Sequence, residues 1–190
     1  MTSPDVLIAD DGGQMAVYVP SPSTPIATDV PIVRILIAGI GNIFLGDDCF
    51  GVELARRLMD HPLPEEVKVV DFGIRSFDLA YAIMDGYETT ILLDAVQRGG
   101  PPGTLYLIEP DLTNLDQAGE LFDAHTMNPV SVLNMVKSFG GQPKQLFVIG
   151  CEPARLESED GSIGLSETVA PSLDDAVEMT LSLVNQLLEK

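Results

Sequence analysis

The stretch that decides the fold is RILIAGIGNIFLGDDCFG, residues 34–51. Its apolar run, Val33–Gly39, is typical of a parallel strand that is buried on both faces. A glycine-rich turn follows, and then a helical pattern over Cys49–Met59 with Asp47 and Asp48 at its entrance. This order of strand, turn and helix is the first half of an α/β unit, in which functional side chains collect where strands end.

The alternation of strand and helix patterns continues to the end of the chain. Ser76 is expected to cap the second helix and Gly86 to end it. The further predicted strands are Val67–Phe72, Thr89–Leu93, Thr104–Ile108 and Gln145–Gly150, and the further predicted helices are Ser76–Asp85, Pro129–Phe139 and Ser166–Leu188. Such alternation indicates an α/β fold, a three-layer α/β/α sandwich around one sheet.

The connection between the third and fourth predicted strands, Val96–Gly103, departs from this pattern because it is short and contains GGPPG. A crossover between parallel strands needs a dozen or more residues, which are usually helical. We therefore expect the fourth strand to run antiparallel to the third or to start a different edge. The five-stranded sheet is then mixed, unlike a standard Rossmann sheet.

Composition limits the classes of function. The 190 residues suffice for one good-sized core, and the formal net charge is −19. Arg56–Arg57 is the only cluster of basic residues, which argues against binding to nucleic acid or to an anionic membrane. The acidity serves solubility or attracts a basic protein. Two cysteines, Cys49 and Cys151, are too few for a disulfide scaffold or a structural zinc site.

Residues 1–31 differ from the rest, since their five prolines break any periodicity. We interpret them as a Pro-rich, mostly disordered tail, although Met15–Val19 can also pair as an edge strand. Residues 32–190 are expected to form the single α/β/α domain. The sequence has neither a signal-peptide pattern nor an apolar stretch of membrane-spanning length, so we expect a cytoplasmic protein.

Three residues are the candidates for chemistry: Asp48 at the first helix entrance, Asp94 after the strand of TTILLDAVQ, and His125 before the third helix in DAHTMNPVSVL. Two carboxylates and an imidazole suit a metal site or acid–base catalysis. Each also has a structural explanation. Asp47 or Asp48 can cap the helix, Asp94 can make a turn hydrogen bond, and a lone histidine more often serves as a structural hydrogen-bonding residue. Of the two loop aspartates, Asp47 is the better structural candidate.

Other chemistries fit less well. The turn at Gly39 and Gly41 resembles a dinucleotide fingerprint, but Phe44 replaces its third glycine, and the loop aspartates would repel a pyrophosphate. Asp71 is the residue that would mimic the ribose-binding acid. Neither cysteine has a base nearby in sequence, and no G-x-S-x-G elbow is present for a serine hydrolase.

In these residues the chain resembles the endopeptidases that mature [NiFe]-hydrogenase large subunits, the HybD/HycI-type proteases of peptidase family M52. The resemblance covers about Ile35–Leu187. It depends on an ordered set of motifs: GIGNIFLGDDCFGV (39–52), VVDFG (69–73), LLDAV (92–96), PGTL (102–105), DAHTMNPVSVL (123–133) and IGCEPARLESEDGSIGLSETV (149–169). It implies a phosphorylase/hydrolase-like sandwich whose fourth strand is antiparallel, as the GGPPG linker also suggests.

The resemblance further implies that Asp48, Asp94 and His125 are the metal-binding and catalytic residues. Asp48 stands where some members have Glu, and Cys49 where many have Gly. Cys49 then either adds a soft metal ligand or fills space as a small apolar residue, and we favour the second.

The implied function is removal of a C-terminal peptide from a hydrogenase large-subunit precursor once its nickel is in place, with the nickel carried by the substrate. Cleavage would be metal-assisted or of the aspartic type. The alternative is a metal chaperone or assembly factor without protease activity on the same fold.

Overall fold

The structure, a computed structural model, describes residues 33–112, 129–156 and 163–189. The 1–31 tail and His125 therefore lie outside the described residues, and what was predicted for them stays a prediction. In chain order the elements are β1 Ile35–Ile40, α1 Phe50–Met59, β2 Val67–Gly73, α2 Ser76–Met84, β3 Thr89–Ala95, β4 Leu105–Ile108, α3 Pro129–Ser138, β5 Leu146–Cys151 and α4 Ser172–Leu188. A short 3-10 turn, Gly46–Cys49, leads into α1.

The five strands form one mixed sheet in the order β2-β1-β3-β5-β4. All neighbouring pairs are parallel except β4 with β5, which is antiparallel. The expectation from the GGPPG linker is therefore confirmed, since β4 starts the far edge of the sheet instead of lying beside β3. The carboxyl ends of the four parallel strands meet at one edge, which is where an open α/β sheet places its functional residues.

Helices cover both faces of the sheet. The side chains of β1, β3 and β5 alternate, so that Ile37 and Leu93 pack towards α1 and α4, whereas Ala38 and Leu92 pack towards α2 and α3. The three central strands are thus buried on both sides, which explains their nearly continuous apolar sequences.

Two helix starts differ from the sequence prediction. Ser76 is the first residue of α2, and no side chain caps that helix, so its predicted capping role is wrong. Gly86, with φ +93°, follows the helix end as predicted. The last helix begins at Ser172 instead of Ser166, because Ser166 takes part in a hydrogen-bonded turn that accepts from the amides of Val169 and Ala170.

Candidate active site

Glycines let α1 begin directly against the ends of β1 and β3. A Cβ atom on Gly51 would lie 1.9 Å from the Leu93 carbonyl oxygen, and one on Gly41, where φ is +124°, would lie 1.8 Å from the Asp48 carbonyl oxygen. The glycine that permits close approach of helix and strand is therefore Gly51, not a residue at the Phe44 position. This contact brings the Asp47-Asp48 turn to the end of β3, where Asp94 lies.

Asp48 and Asp94 are both buried, with relative exposures of 3% and 6%. The Asn42 amide donates to Asp48 Oδ2 at 2.5 Å, and the Ala95 amide donates to Asp94 Oδ1 at 2.9 Å. Neither side chain caps α1, because that helix has no side-chain cap. Among the residues that the structure describes, each carboxylate thus accepts one backbone hydrogen bond, although each is largely removed from water.

Burial raises the pKa of the Asp48 carboxyl, and the Asn42 amide only partly offsets that effect. The pKa of Asp94 is raised further, first by its burial and then by repulsion from Asp48. This electrostatic coupling shows that the structure brings two of the three predicted residues together. Two carboxyls that disfavour each other's ionisation are poised to share a proton or to accept a cation between them.

Asp47 has a different role from its neighbour. Its fully buried side chain accepts hydrogen bonds from the amides of Ala154, Arg155 and Ser166 and from the Ser166 hydroxyl, at 2.6–3.0 Å. It therefore ties the turn before α1 to two segments that follow β5. The interpretation of Asp47 as the structural aspartate is supported, although it joins loops and does not cap the helix.

Glu152, directly after β5, is a buried carboxylate that the sequence reasoning did not single out. Its side chain accepts hydrogen bonds from the amides of Arg98 and Gly99 and from the Tyr106 hydroxyl, at 2.8–3.1 Å. Burial pushes the pKa of Glu152 upward, but these donors outweigh burial and leave it lowered. The available signal was an acid directly after a buried strand, the same signal that selected Asp94.

The two cysteines are buried. Burial, together with repulsion from Glu53, Asp47 and Asp48, raises the pKa of the Cys49 thiol to about 11, so it stays protonated at neutral pH. Cys151 is also buried and lies 3.3 Å from the Ser172 hydroxyl. The preferred interpretation of Cys49 as a space-filling residue is supported, and neither thiol has the environment of a nucleophile.

The chemistry of the donors suits a cation, since two buried, mutually repelling carboxylates lose their repulsion when a positive ion lies between them. Within residues 33–112, 129–156 and 163–189, no group of three His, Cys, Asp or Glu side chains is arranged to hold a metal. His125 lies outside those ranges, so its place as the third ligand stays a prediction.

These features define the class: a three-layer α/β protein with a buried carboxylate pair at the carboxyl edge of its sheet. The family model for HycI, hydrogenase maturation protease, matches residues 52–183. The chain belongs to the hydrogenase maturation protease family, and it is accordingly a peptidase.

Individual relatives agree with the family assignment. HupD, a hydrogenase expression/formation protein of Rhodobacter capsulatus, is 32% identical over 145 residues, 76% of this chain and 68% of its own. The maturating endopeptidase HybD of Escherichia coli is 28% identical with a TM-score of 0.68, covering 80% of this chain and 93% of that one. The hydrogenase 2 maturation peptidase of a Thaumarchaeota archaeon is 32% identical with a TM-score of 0.61. The match covers 80% of this chain and 98% of that one.

Proposed function

We propose that this protein removes the C-terminal extension of a [NiFe]-hydrogenase large-subunit precursor after nickel has been inserted, and that it does so in the cytoplasm. The observation that carries the proposal is the coupled pair Asp48 and Asp94, with raised pKa values, at the carboxyl edge of a hydrogenase maturation protease fold. No helix in the described part of the chain is long and apolar enough to cross a membrane.

In this proposal the nickel belongs to the substrate. Asp48, Asp94 and His125 supply oxygen and nitrogen donors, which are acceptable to Ni²⁺, and the remaining coordination positions stay with the precursor. A precursor without nickel would leave the two carboxyls repelling each other. The enzyme would therefore distinguish loaded from unloaded precursor by the charge that the substrate brings to this pair.

Hydrolysis requires that a water oxygen bond to the scissile carbonyl carbon, that the C–N bond break, and that the leaving amine gain a proton. A carboxylate of the pair can accept the proton from water and pass it to the amine as an aspartic-type general base and acid. The nickel in the substrate can instead polarise the carbonyl or activate the water. In both cases the buried pair is essential.

The deciding experiment combines purified protein with nickel-loaded and nickel-free precursor and measures the precursor mass. We expect trimming of the loaded form alone, and its loss in the variants Asp48→Asn, Asp94→Asn and His125→Ala. Asp175→Asn, on the exposed side of α4, is the matched control and should trim normally. Normal trimming by all three site variants would overturn the proposal.

The alternative of a metal chaperone without protease activity depended on the acidic surface and on Cys49 as a soft ligand. The Cys49 thiol is buried and not part of the acidic surface, which does not favour that function. The same assay separates the two functions, because a chaperone would bind the loaded precursor and leave its mass unchanged.

A further inference from the structure

Helix α2 carries large apolar side chains on its outer side as well as on its inner side. Leu79, Ala80 and Ile83 face the core. The outer stripe consists of Ile74 just before the helix and of Phe77, Tyr81 and Met84 on it, with relative exposures of 64%, 62%, 60% and 38%. The spacings of four and three residues place Phe77, Tyr81 and Met84 along one side of the helix. Single exposed apolar residues are ordinary, but a continuous stripe of four marks an interaction surface.

The outer stripe is extended at both of its ends. Beyond Tyr81 the ring of Phe139, 42% exposed, stacks on the tyrosine with centroids 5.6 Å apart. Before α2, Ile74 lines a cavity of about 380 Å³ whose other wall includes Phe44, itself 60% exposed. Exposed apolar side chains therefore extend from the end of α3 along α2 to this cavity, whose lining also includes Arg56, Asp71 and Arg75.

The cavity adjoins the backbone segment that is hydrogen-bonded to Asp48. Gly41 and Asn42 line it, and the Asn42 amide is the group that donates to Asp48. A polypeptide that lay on the outer stripe and entered the cavity would be separated from Asp48 by a single backbone segment. The stripe is thus placed to hold a protein whose cleavable segment reaches the candidate active site.

We propose that the outer stripe, with Phe139 and the cavity at Phe44, is the docking surface for the hydrogenase precursor, which presents an apolar face to it; this rests on the proposed function. A second copy of this chain is a competing occupant. Each copy has a formal net charge of −19, so two copies repel each other over a long range, whereas a less acidic partner does not.

The test compares the double variant Phe77→Ser/Tyr81→Ser with the control Met59→Ser/Leu107→Ser. The control removes apolar side chains of 48% and 51% exposure elsewhere on the surface. We expect the first variant to raise KM for the loaded precursor roughly tenfold or more with kcat nearly unchanged, because exposed aromatic anchors dominate docking energy. The control should match the wild type, and thermal unfolding should show that both variants are folded.

Binding of the precursor is measured separately in the Asp94→Asn background, with and without the Phe77→Ser/Tyr81→Ser change. A weaker affinity of the double variant supports docking even if the wild type leaves the precursor uncut, an outcome that would overturn only the proposed function. Unchanged KM and unchanged affinity would overturn the docking proposal. So would a self-associated wild type whose dimer is lost in the double variant while KM stays constant.

Discussion

Two regions at the same edge of the sheet hold buried carboxylates that differ in how many hydrogen bonds they accept. Beside β5, Asp47 and Glu152 accept four and three hydrogen bonds respectively. Between β1 and β3, Asp48 and Asp94 each accept one backbone hydrogen bond within the described residues, and they repel each other. A buried charge with a full set of donors holds loops together, whereas a buried pair with few donors is available to a proton or a cation.

The largest effect is expected when a carboxylate of the Asp48–Asp94 pair is replaced, and it is an effect on activity. Asp48→Asn or Asp94→Asn keeps the side-chain shape but removes the charge and the ability to take up a proton. We expect precursor trimming to fall about 10²- to 10⁴-fold, the usual contribution of a general acid or base. Single-turnover cleavage followed by mass spectrometry measures this fall. A loss smaller than tenfold would place the chemistry elsewhere.

On the β5 side the expected effect is on stability. Asp47→Asn replaces an acceptor of four hydrogen bonds with an amide whose NH₂ group faces backbone N–H donors. Because hydrogen bonds to a buried charge are strong, we expect a loss of about 3 kcal/mol in the free energy of unfolding. Urea denaturation measures it, and Asp175→Asn is the control of equal chemistry. A stability within 0.5 kcal/mol of wild type, roughly the scatter of surface changes, would contradict the role of Asp47.

Asp94 should make the free energy of unfolding of the metal-free protein depend on pH. The folded pKa of Asp94 is raised above its ordinary 3.8. Protonated Asp94 therefore contributes its full stabilisation below about pH 3.8. That stabilisation is lost as the pH rises through the pKa that Asp94 has in the folded protein. We expect the wild type to lose stability relative to Asp94→Asn as the pH rises above 3.8, by about 1.4 kcal/mol per unit of pKa difference. Denaturant midpoints of the two proteins at several pH values test this, and parallel curves would contradict it.

The pH dependence of stability that comes from Glu152 should have the opposite sign to that of Asp94, and the change in stability should be smaller. Its folded pKa is lowered from 4.5, so its contribution is present above that pH and is lost as the pH falls through the folded value. We expect Glu152→Gln to cost about 1–2 kcal/mol at pH 7, less than Asp47→Asn because Glu152 has fewer donors. The difference from wild type should shrink below pH 4.5. A constant difference down to pH 3 would show that the charge of Glu152 is not what holds its loop.

Much of the fold follows from local sequence. Continuous apolar runs identify strands because a parallel strand between helices is buried on both faces, and the short GGPPG linker excludes a parallel crossover. The position of Asp94 at a strand end could be predicted for the same reason. The start of α4 could not, because Ser166 lies in a turn whose hydroxyl donates to the distant Asp47.

The roles of the neighbouring aspartates also depend on long-range contacts. The sequence favoured Asp47 as the structural aspartate, but it predicted a helix cap and not a residue that joins loops. The distinction arises because residues 154, 155 and 166 return to Asp47 from more than a hundred positions away. Glu152 follows a buried strand as Asp94 does, but its role depends on donors at residues 98, 99 and 106, which lie about 50 positions away.

The sequence by itself determined the α/β/α architecture, the mixed sheet and the family, because hydrophobic periodicity, linker length and ordered motifs are local properties of a chain. The tertiary structure decided which buried acids are satisfied and which are coupled, and where the outer stripe of α2 meets the candidate site. Those properties depend on burial and on distances between segments far apart in sequence, and burial and distance set the electrostatic free energy of a carboxylate.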